Sequence, residues 1–295
     1  MKKALLYLLG LAVIALALCW YIDLSHQARP VQLDADTGNV ERGAYLARAS
    51  GCIACHTNVD EGGAPLAGGP PIDTPFGTFY APNLTMDKEQ GIGDWTLEDF
   101  ARALRHGTSP DGQPYYPAFP YSFYTRLSDQ DIADLWAAFQ TVPAVAEPSK
   151  QQELSFPFNI RSGLPLWQAL YLDDQRFEVD PQQSEQYNRG AYLVEAAAHC
   201  AACHTPRDLL GGLDQKQAMA GAEGMPGGGR SPAITANALK ENGWTTDDLA
   251  YALRSGITPE GDVLGGSMAE VIRDGTSFLT DDDLQAIALY LMNRE

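Results

Sequence analysis

The sequence predicts an all-α fold made of two tandem globular domains related by internal duplication. Two observations support this: apolar residues recur at helical spacing, and four short motifs repeat in one order at offsets of 147 to 149 residues. No convincing alternating strand pattern appears, and Gly- and Pro-rich loops occupy residues 61–82 and 221–232. The 295-residue length also fits two domains of ~150 residues each.

The four repeated motifs define the duplication. RGAYL occurs at 42–46 and at 189–193, and CIACHT at 52–57 matches CAACHT at 200–205. WTLED at 95–99 then matches WTTDD at 244–248, and ALR recurs at 103–105 and 252–254. This period is far longer than that of a solenoid repeat, so it indicates two globular copies. We place the first domain at 35–142, a linker at 143–186 and the second domain at 187–295.

Each copy is predicted to contain a first, a middle and a last helix. The first helix carries the RGAYL motif, and the other two start at a Ser or Thr followed three residues later by an acid, as in a capping box. The predicted N-caps and their acids are Thr96 with Asp99, Thr245 with Asp248, Ser128 with Asp131 and Thr280 with Asp283. The linker is rich in Pro and Gln, and its apolar residues (Phe156, Phe158, Leu166 and Trp167) predict a partly ordered patch.

The N-terminus predicts export of the protein. An apolar run at 4–22 follows Lys2 and Lys3 and is near the ~20 residues that a membrane helix needs. Residues 1–22 are therefore either a membrane anchor or a signal peptide cleaved after the small-residue pattern at 15–17, and retention is favoured. The lysines should stay in the cytoplasm, which places the remainder on the periplasmic side of the bacterial inner membrane.

The chain is strongly acidic, with 38 Asp and Glu against 20 Lys and Arg and a net charge of −18. This charge argues against nucleic-acid binding and favours basic redox partners. We expect most carboxylates, including those at 281–283, to be solvated or to lie at helix N-termini. His199 has no role that the sequence indicates, and solvent exposure is the default expectation for it.

Both CxxCH motifs predict covalent attachment of c-type haem. Two thiols one helical turn apart can form thioethers with the two vinyl groups of the macrocycle, and the adjoining histidine can reach the iron. The attachment residues are Cys52 and Cys55 in the first copy and Cys200 and Cys203 in the second, with His56 and His204 as proximal ligands. A redox-active disulfide or a zinc half-site is less consistent with the sequence, because there is no βαβ context and adjacent Cys and His suit one tetrahedral ion poorly.

The distal ligand is predicted to differ between the copies. Met268, in a predicted loop before the last helix, is the expected distal ligand of the second haem, and a methionine there favours electron transfer over substrate binding. The corresponding position of the first copy is Phe119, which cannot bind iron. Met86 and His106 are the weaker candidates for the first haem, and the remaining alternative is an open position or another ligand.

The motif order resembles the membrane-bound cytochrome c subunits of bacterial alcohol, gluconate and aldehyde dehydrogenases. Besides the repeated motifs, the resemblance rests on APNLT at 81–85, GIGxW at 91–95, LRHG at 104–107 and YPAxPY at 116–121. It implies cytochrome c folds in series that take electrons from a catalytic subunit. Better-known members have three haem domains, and their YPAMPY motif carries the axial methionine. In this sequence Phe119 occupies the position of that methionine, so the resemblance assigns no axial ligand to the first haem.

Electron transfer without substrate turnover is therefore the expected function. The expected partners are a dehydrogenase catalytic subunit, a soluble cytochrome or a quinone or oxidase, and the inner membrane through the N-terminal helix. The alternative is a di-haem enzyme of the peroxidase or thiosulfate dehydrogenase type that uses an open first haem.

Overall fold

The structure is a computed structural model that describes residue 10 and residues 31–224 and 229–294. Apart from Gly10, the membrane segment predicted at 1–22 lies outside these residues. None of the helices in the described ranges combines the length and apolarity that crossing a bilayer requires.

The first copy contains five helices within the described residues. They are α1 (Val40–Ala49), α2 (Cys52–His56), α3 (Leu97–His106), α4 (Tyr121–Tyr124) and α5 (Asp129–Phe139). One linker helix, α6 (Leu164–Tyr171), follows. The described part of the second copy contains α7 (Glu185–Tyr192), which runs on into a π-helical turn at Leu193–Ala197, then α8 (Ala201–His204), α9 (Ala236–Glu241), α10 (Thr246–Ser255), α11 (Ser267–Asp274) and α12 (Asp281–Asn293).

The predicted helix starts are confirmed. Thr96 and Thr245 each form a complete capping box with the acid three residues later, at the start of α3 and α10. Ser128 and Thr280 each accept a hydrogen bond from the third backbone N–H of α5 and α12. These caps are local in sequence, which explains why the pattern alone locates them.

The glycine of the repeated RGAYL motif marks the point where the first and last helices of each copy touch. A Cβ atom at Gly43 would lie 1.8 Å from the carbonyl oxygen of Asp134, and one at Gly190 would lie 1.9 Å from that of Ala286. No side chain fits at either crossing. The glycine therefore sets the distance between the helices that frame each copy's core.

Within the described residues, two small antiparallel sheets add to the predicted all-α fold. The strands β1 (Pro71–Thr74) and β2 (Gly77–Tyr80) form a hairpin, and β3 (Glu153–Leu154) pairs with β2. In the second copy β4 (Ala222–Glu223) pairs with β5 (Arg230–Ser231). Strands of two to four residues are too short to show alternation, so the sequence does not predict them.

The linker packs on both copies. Besides the pairing of β3, Gln168 is buried and its side-chain amide donates to the carbonyl oxygens of His106 and Gly107, at 3.0 and 3.3 Å. On the other side, Trp167 Nε1 donates to the carbonyl oxygen of Leu210, and the Tyr171 hydroxyl donates to Asp208.

The two copies also meet through a reciprocal pair of tyrosines. Tyr45 of α1 donates to Asp283 and accepts the N–H of Thr280, both at the start of α12 in the other copy. Tyr192 of α7 makes the equivalent contacts with Asp131 and Ser128 at the start of α5. The exchange indicates an approximate two-fold relation between the copies.

Asp283 lies in the first turn of α12, which agrees with the expectation that the acids at 281–283 are solvated or lie at a helix N-terminus. Its side chain is buried, and Arg189 donates two hydrogen bonds of 2.8 Å to it in addition to the one from Tyr45. Burial raises the pKa of Asp283, but the hydrogen bonds from Arg189 and Tyr45 outweigh this effect, and the net pKa lies below its ordinary value.

Candidate haem sites

The paired cysteines lie on short helices, as haem attachment requires. Cys52 and Cys55 are on α2, which follows Gly51 in the left-handed region (φ 70°). Cys200 immediately precedes α8 and Cys203 lies within it. No disulfide joins the two cysteines of either motif. In both copies the thiols lie about one helical turn apart, which fits covalent bonding to two neighbouring vinyl groups.

Both motif histidines are held in the form that binds iron. His56 Nδ1 donates to the carbonyl oxygen of Pro82 at 2.7 Å, and His204 Nδ1 donates to that of Pro232 at 2.8 Å. A proton on Nδ1 leaves Nε2 free as the metal ligand, and a carbonyl partner fixes the plane of the ring. The residues present therefore fit the haem group.

Sequence reasoning missed the two prolines, although a signal was present. APNLT at 81–85 and SPAIT at 231–235 share Pro and Thr at an offset of 150 residues. Each proline lies far along the chain from its histidine, so only the fold shows that they meet.

The protein environment sets the charge state of these groups. Burial lowers the pKa of His56 to about 4 and lowers that of His204, so both imidazoles are neutral at neutral pH. Desolvation also raises the pKa of Cys52 to about 12 and that of Cys200 to about 12, so these cysteines are thiols in the haem-free chain. A neutral imidazole is the form that coordinates iron.

The structure places Met268 differently from the expected loop. Met268 is the second residue of α11, a helix that the sequence analysis did not predict, and its half-buried side chain packs against the core. Its assignment as the distal ligand stays a prediction.

Phe119 is the counterpart of Met268 in the fold as well as in the sequence. The loop after α3 is closed by a bridge between Thr108 and Pro114, and the loop after α10 by one between Ile257 and Val263. Five residues beyond each bridge the chain reaches Phe119 and Met268, respectively. Phe119 packs against the core of its own copy.

The two weaker ligand candidates lie in other parts of the first copy. Met86 is half-buried in the segment that follows Pro82, the residue that binds the proximal histidine. His106 is the last residue of α3 and is buried, although a surface position is the usual expectation at a helix end.

The two cysteine motifs face each other across the interface between the copies. His199, next to Cys200, lies with its ring 3.5 Å from the position of a Cβ atom on Gly51, next to Cys52. The His199 ring also packs on Phe123 and Tyr124 of α4, so the default expectation of exposure for this residue is wrong. In the reciprocal contact, α11 of the second copy packs against α2 of the first.

Two attachment helices with correctly oriented histidines, on two similar helical domains, define a di-haem c-type cytochrome. The chain belongs to the cytochrome c family, whose model matches residues 40–139 and 187–295. It holds two covalently bound haem c groups, and its role is electron transfer.

Relatives of known description agree with this class. The chain is 40% identical to a "Diheme cytochrome c-type" protein of Cereibacter sphaeroides, over 99% of this chain and 98% of that one. It is 42% identical to the fructose dehydrogenase cytochrome subunit of Gluconobacter japonicus, over 89% of this chain and 54% of the relative. It is 41% identical to the alcohol dehydrogenase (quinone) cytochrome c subunit of Gluconobacter oxydans, over 88% and 55%. The chain thus spans about half the length of these two dehydrogenase subunits.

Proposed function

We propose that this protein is a periplasmic di-haem cytochrome that accepts electrons from a dehydrogenase catalytic subunit and passes them to the respiratory chain. The observation that carries the proposal is the meeting of the two cysteine motifs at the His199–Gly51 contact. Two redox groups attached on either side of one interface can exchange electrons directly. Relatives described as cytochrome subunits of fructose, gluconate and alcohol dehydrogenases support the choice of partner.

When bound, each haem supplies a one-electron couple between ferric and ferrous iron. The residues of the chain keep the geometry constant during this cycle. Pro82 and Pro232 hold the proximal histidines, and the linker contacts and the tyrosine pair hold one copy against the other. A rigid arrangement of this kind keeps the distance between the two groups fixed during turnover.

The net charge of −18 supports docking with basic partner surfaces. Association driven by opposite charges weakens as salt screens them, so reduction by the physiological donor should slow at high ionic strength.

The test is purification of the tagged full-length holoprotein from its own host after mild solubilisation, with an untagged strain as control. We expect a dehydrogenase catalytic subunit to co-purify, and its substrate to reduce both haems in the purified complex. Recovery without a dehydrogenase, or haems that stay oxidised when that substrate is added, would contradict the proposed partner. Protease added to intact spheroplasts should digest the chain, and full protection would contradict the periplasmic location.

One observation favours the alternative of a di-haem enzyme, namely the presence of Phe119 where the second copy has Met268. The neighbouring side chains give that alternative little acid–base chemistry. Burial raises the pKa of Tyr115 and of Tyr121 well above the ordinary value, so these phenols neither release a proton nor act as bases near neutral pH. Rapid peroxide turnover by the purified holoprotein would favour the enzyme, and inertness to peroxide would favour the carrier.

A further inference from the structure

The region around Phe119 is a cluster of aromatic rings. The ring centroid of Phe119 lies 5.7 Å from that of Tyr115 and 6.2 Å from that of Tyr121. It lies 5.7 Å from the ring centroid of Tyr124. Tyr124 in turn donates to the carbonyl oxygen of Ser50, two residues before Cys52. Phe119 is therefore one ring away from the segment that carries the first attachment motif.

We propose that the first haem has a distal position without a protein ligand, lined by Phe119 and open to a small neutral molecule such as carbon monoxide. The second haem, with Met268 in the equivalent place, is closed to it. This inference adds a ligand-binding site to an electron carrier. It requires bound haem but does not depend on the identity of the partner.

The two positions follow loops that begin in the same way. Both loops begin at a glycine in the left-handed region, Gly107 or Gly256, whose carbonyl oxygen accepts from the residue eight positions later. Both are closed by the bridges described above. A thioether in this place can bind iron, whereas a phenyl ring offers no lone pair and leaves the iron without a protein ligand there.

The tyrosines around Phe119 do not replace the missing ligand. A tyrosine binds iron as the phenolate, and burial raises the pKa of Tyr115, Tyr121 and Tyr124 well above the ordinary value. The Tyr124 hydroxyl already donates to Ser50. These side chains form an apolar wall in the protonated state.

Met86 belongs to the segment that contacts the proximal histidine. It follows Pro82 by four residues, and the carbonyl oxygen of Pro82 accepts from the Nδ1 atom of His56. The segment between them is anchored further by Asn83, whose amide donates to the carbonyl oxygens of Val145 and Glu147 in the linker. These contacts hold the backbone on both sides of Asn83 and leave the loop that carries Phe119 as a separate part of the site.

His106 lies at the linker end of α3. The carbonyl oxygens of His106 and Gly107 both accept from Gln168, and the ring of Tyr121 packs 2.5 Å from the position of a Cβ atom on Gly107. The counterpart of His106 in the second copy is Ser255, so this position has no part in a duplicated ligand set.

The first test measures carbon monoxide binding by the reduced, full-length holoprotein, with haem content determined on the same sample. The expected result is one carbon monoxide bound per chain, together with a high-spin contribution from one haem in the ferric spectrum. The proposal would be overturned if the holoprotein bound no carbon monoxide, or two molecules of carbon monoxide per chain.

Exchanging the two residues gives a matched pair of variants. Phe119→Met should abolish carbon monoxide binding and double the intensity of the methionine-to-iron charge-transfer band, while Met268→Phe should double the carbon monoxide bound and remove that band. Phe119→Leu is the control, since it keeps the position apolar and should still bind one per chain. If Phe119→Met folds with both haems and still binds one, the proposal fails.

Variants at the two weaker candidates complete the test. Met86→Leu and His106→Gln should leave the ferric spin state and the carbon monoxide stoichiometry of the first haem unchanged. If either substitution raises the high-spin fraction, that residue is a ligand of the first haem and the position is not open.

Discussion

The reciprocal tyrosines allow a quantitative test of how the two copies are held together. Tyr45→Phe removes the hydroxyl that donates to Asp283 at 2.5 Å and accepts from the N–H of Thr280 at 3.1 Å. A hydrogen bond to a charged group contributes about 1.5–3 kcal/mol. Since Asp283 keeps its two bonds from Arg189, we expect a loss near the middle of that range, about 2 kcal/mol in the free energy of unfolding.

Tyr192→Phe should cost less, about 1 kcal/mol, because its acceptor Asp131 is half-exposed and water can replace the lost hydroxyl. The two substitutions lie at separate contacts, so their effects should add in the double variant.

The assay is denaturant unfolding of the holoprotein followed by far-ultraviolet circular dichroism, together with the rate of proteolytic cleavage in the linker at 143–186. Thr245→Ala is the control, because it removes the N-cap of α10 within the second copy. It should lower stability without increasing cleavage between the copies. If Tyr45→Phe and Tyr192→Phe leave both stability and cleavage unchanged, the tyrosines do not hold the interface.

Three further outcomes are expected. Gly190→Ala should lower the free energy of unfolding by about 1–3 kcal/mol or more, because the new Cβ atom would lie 1.9 Å from the carbonyl oxygen of Ala286. Gly163→Ala is its control, since a Cβ atom there has open space and should leave the free energy of unfolding unchanged in the same assay. Thr245→Ala should lose about 1 kcal/mol through the missing cap of α10, and Thr245→Ser should retain the cap. Burial raises the pKa of Asp134, but hydrogen bonds led by that from Arg42 outweigh it and leave the pKa below its ordinary value. The contribution of the Asp134 carboxylate to the free energy of unfolding is therefore present above about pH 4 and is lost as the pH falls through the pKa of the folded protein. Asp134→Asn should therefore make the free energy of unfolding depend less on pH in the acid range.

The features that the sequence predicts are those that depend on neighbours along the chain. The helix caps at Thr96, Thr245, Ser128 and Thr280 are formed within three residues, and the structure contains each of them. The CxxCH motifs likewise contain the attachment residues in one helical turn.

What the sequence does not predict depends on contacts between distant segments. The bond from His56 to Pro82 spans 26 residues, and that from Tyr45 to Asp283 spans 238. The β3 strand exists because the linker returns to pair with β2, and two residues carry no pattern of their own. The sequence predicts the helix N-terminus at which Asp283 lies, but the burial of its side chain follows from Arg189 and Tyr45, which are distant along the chain.

The most direct test of the account is the intact mass of the denatured holoprotein. Covalent bonding at both cysteine pairs predicts the polypeptide mass plus two haem groups. Cys52→Ser with Cys55→Ser should remove one haem, and Cys200→Ser with Cys203→Ser should remove the other. A bare polypeptide mass, or a single haem on the unaltered chain, would contradict the claim that both copies carry a redox group.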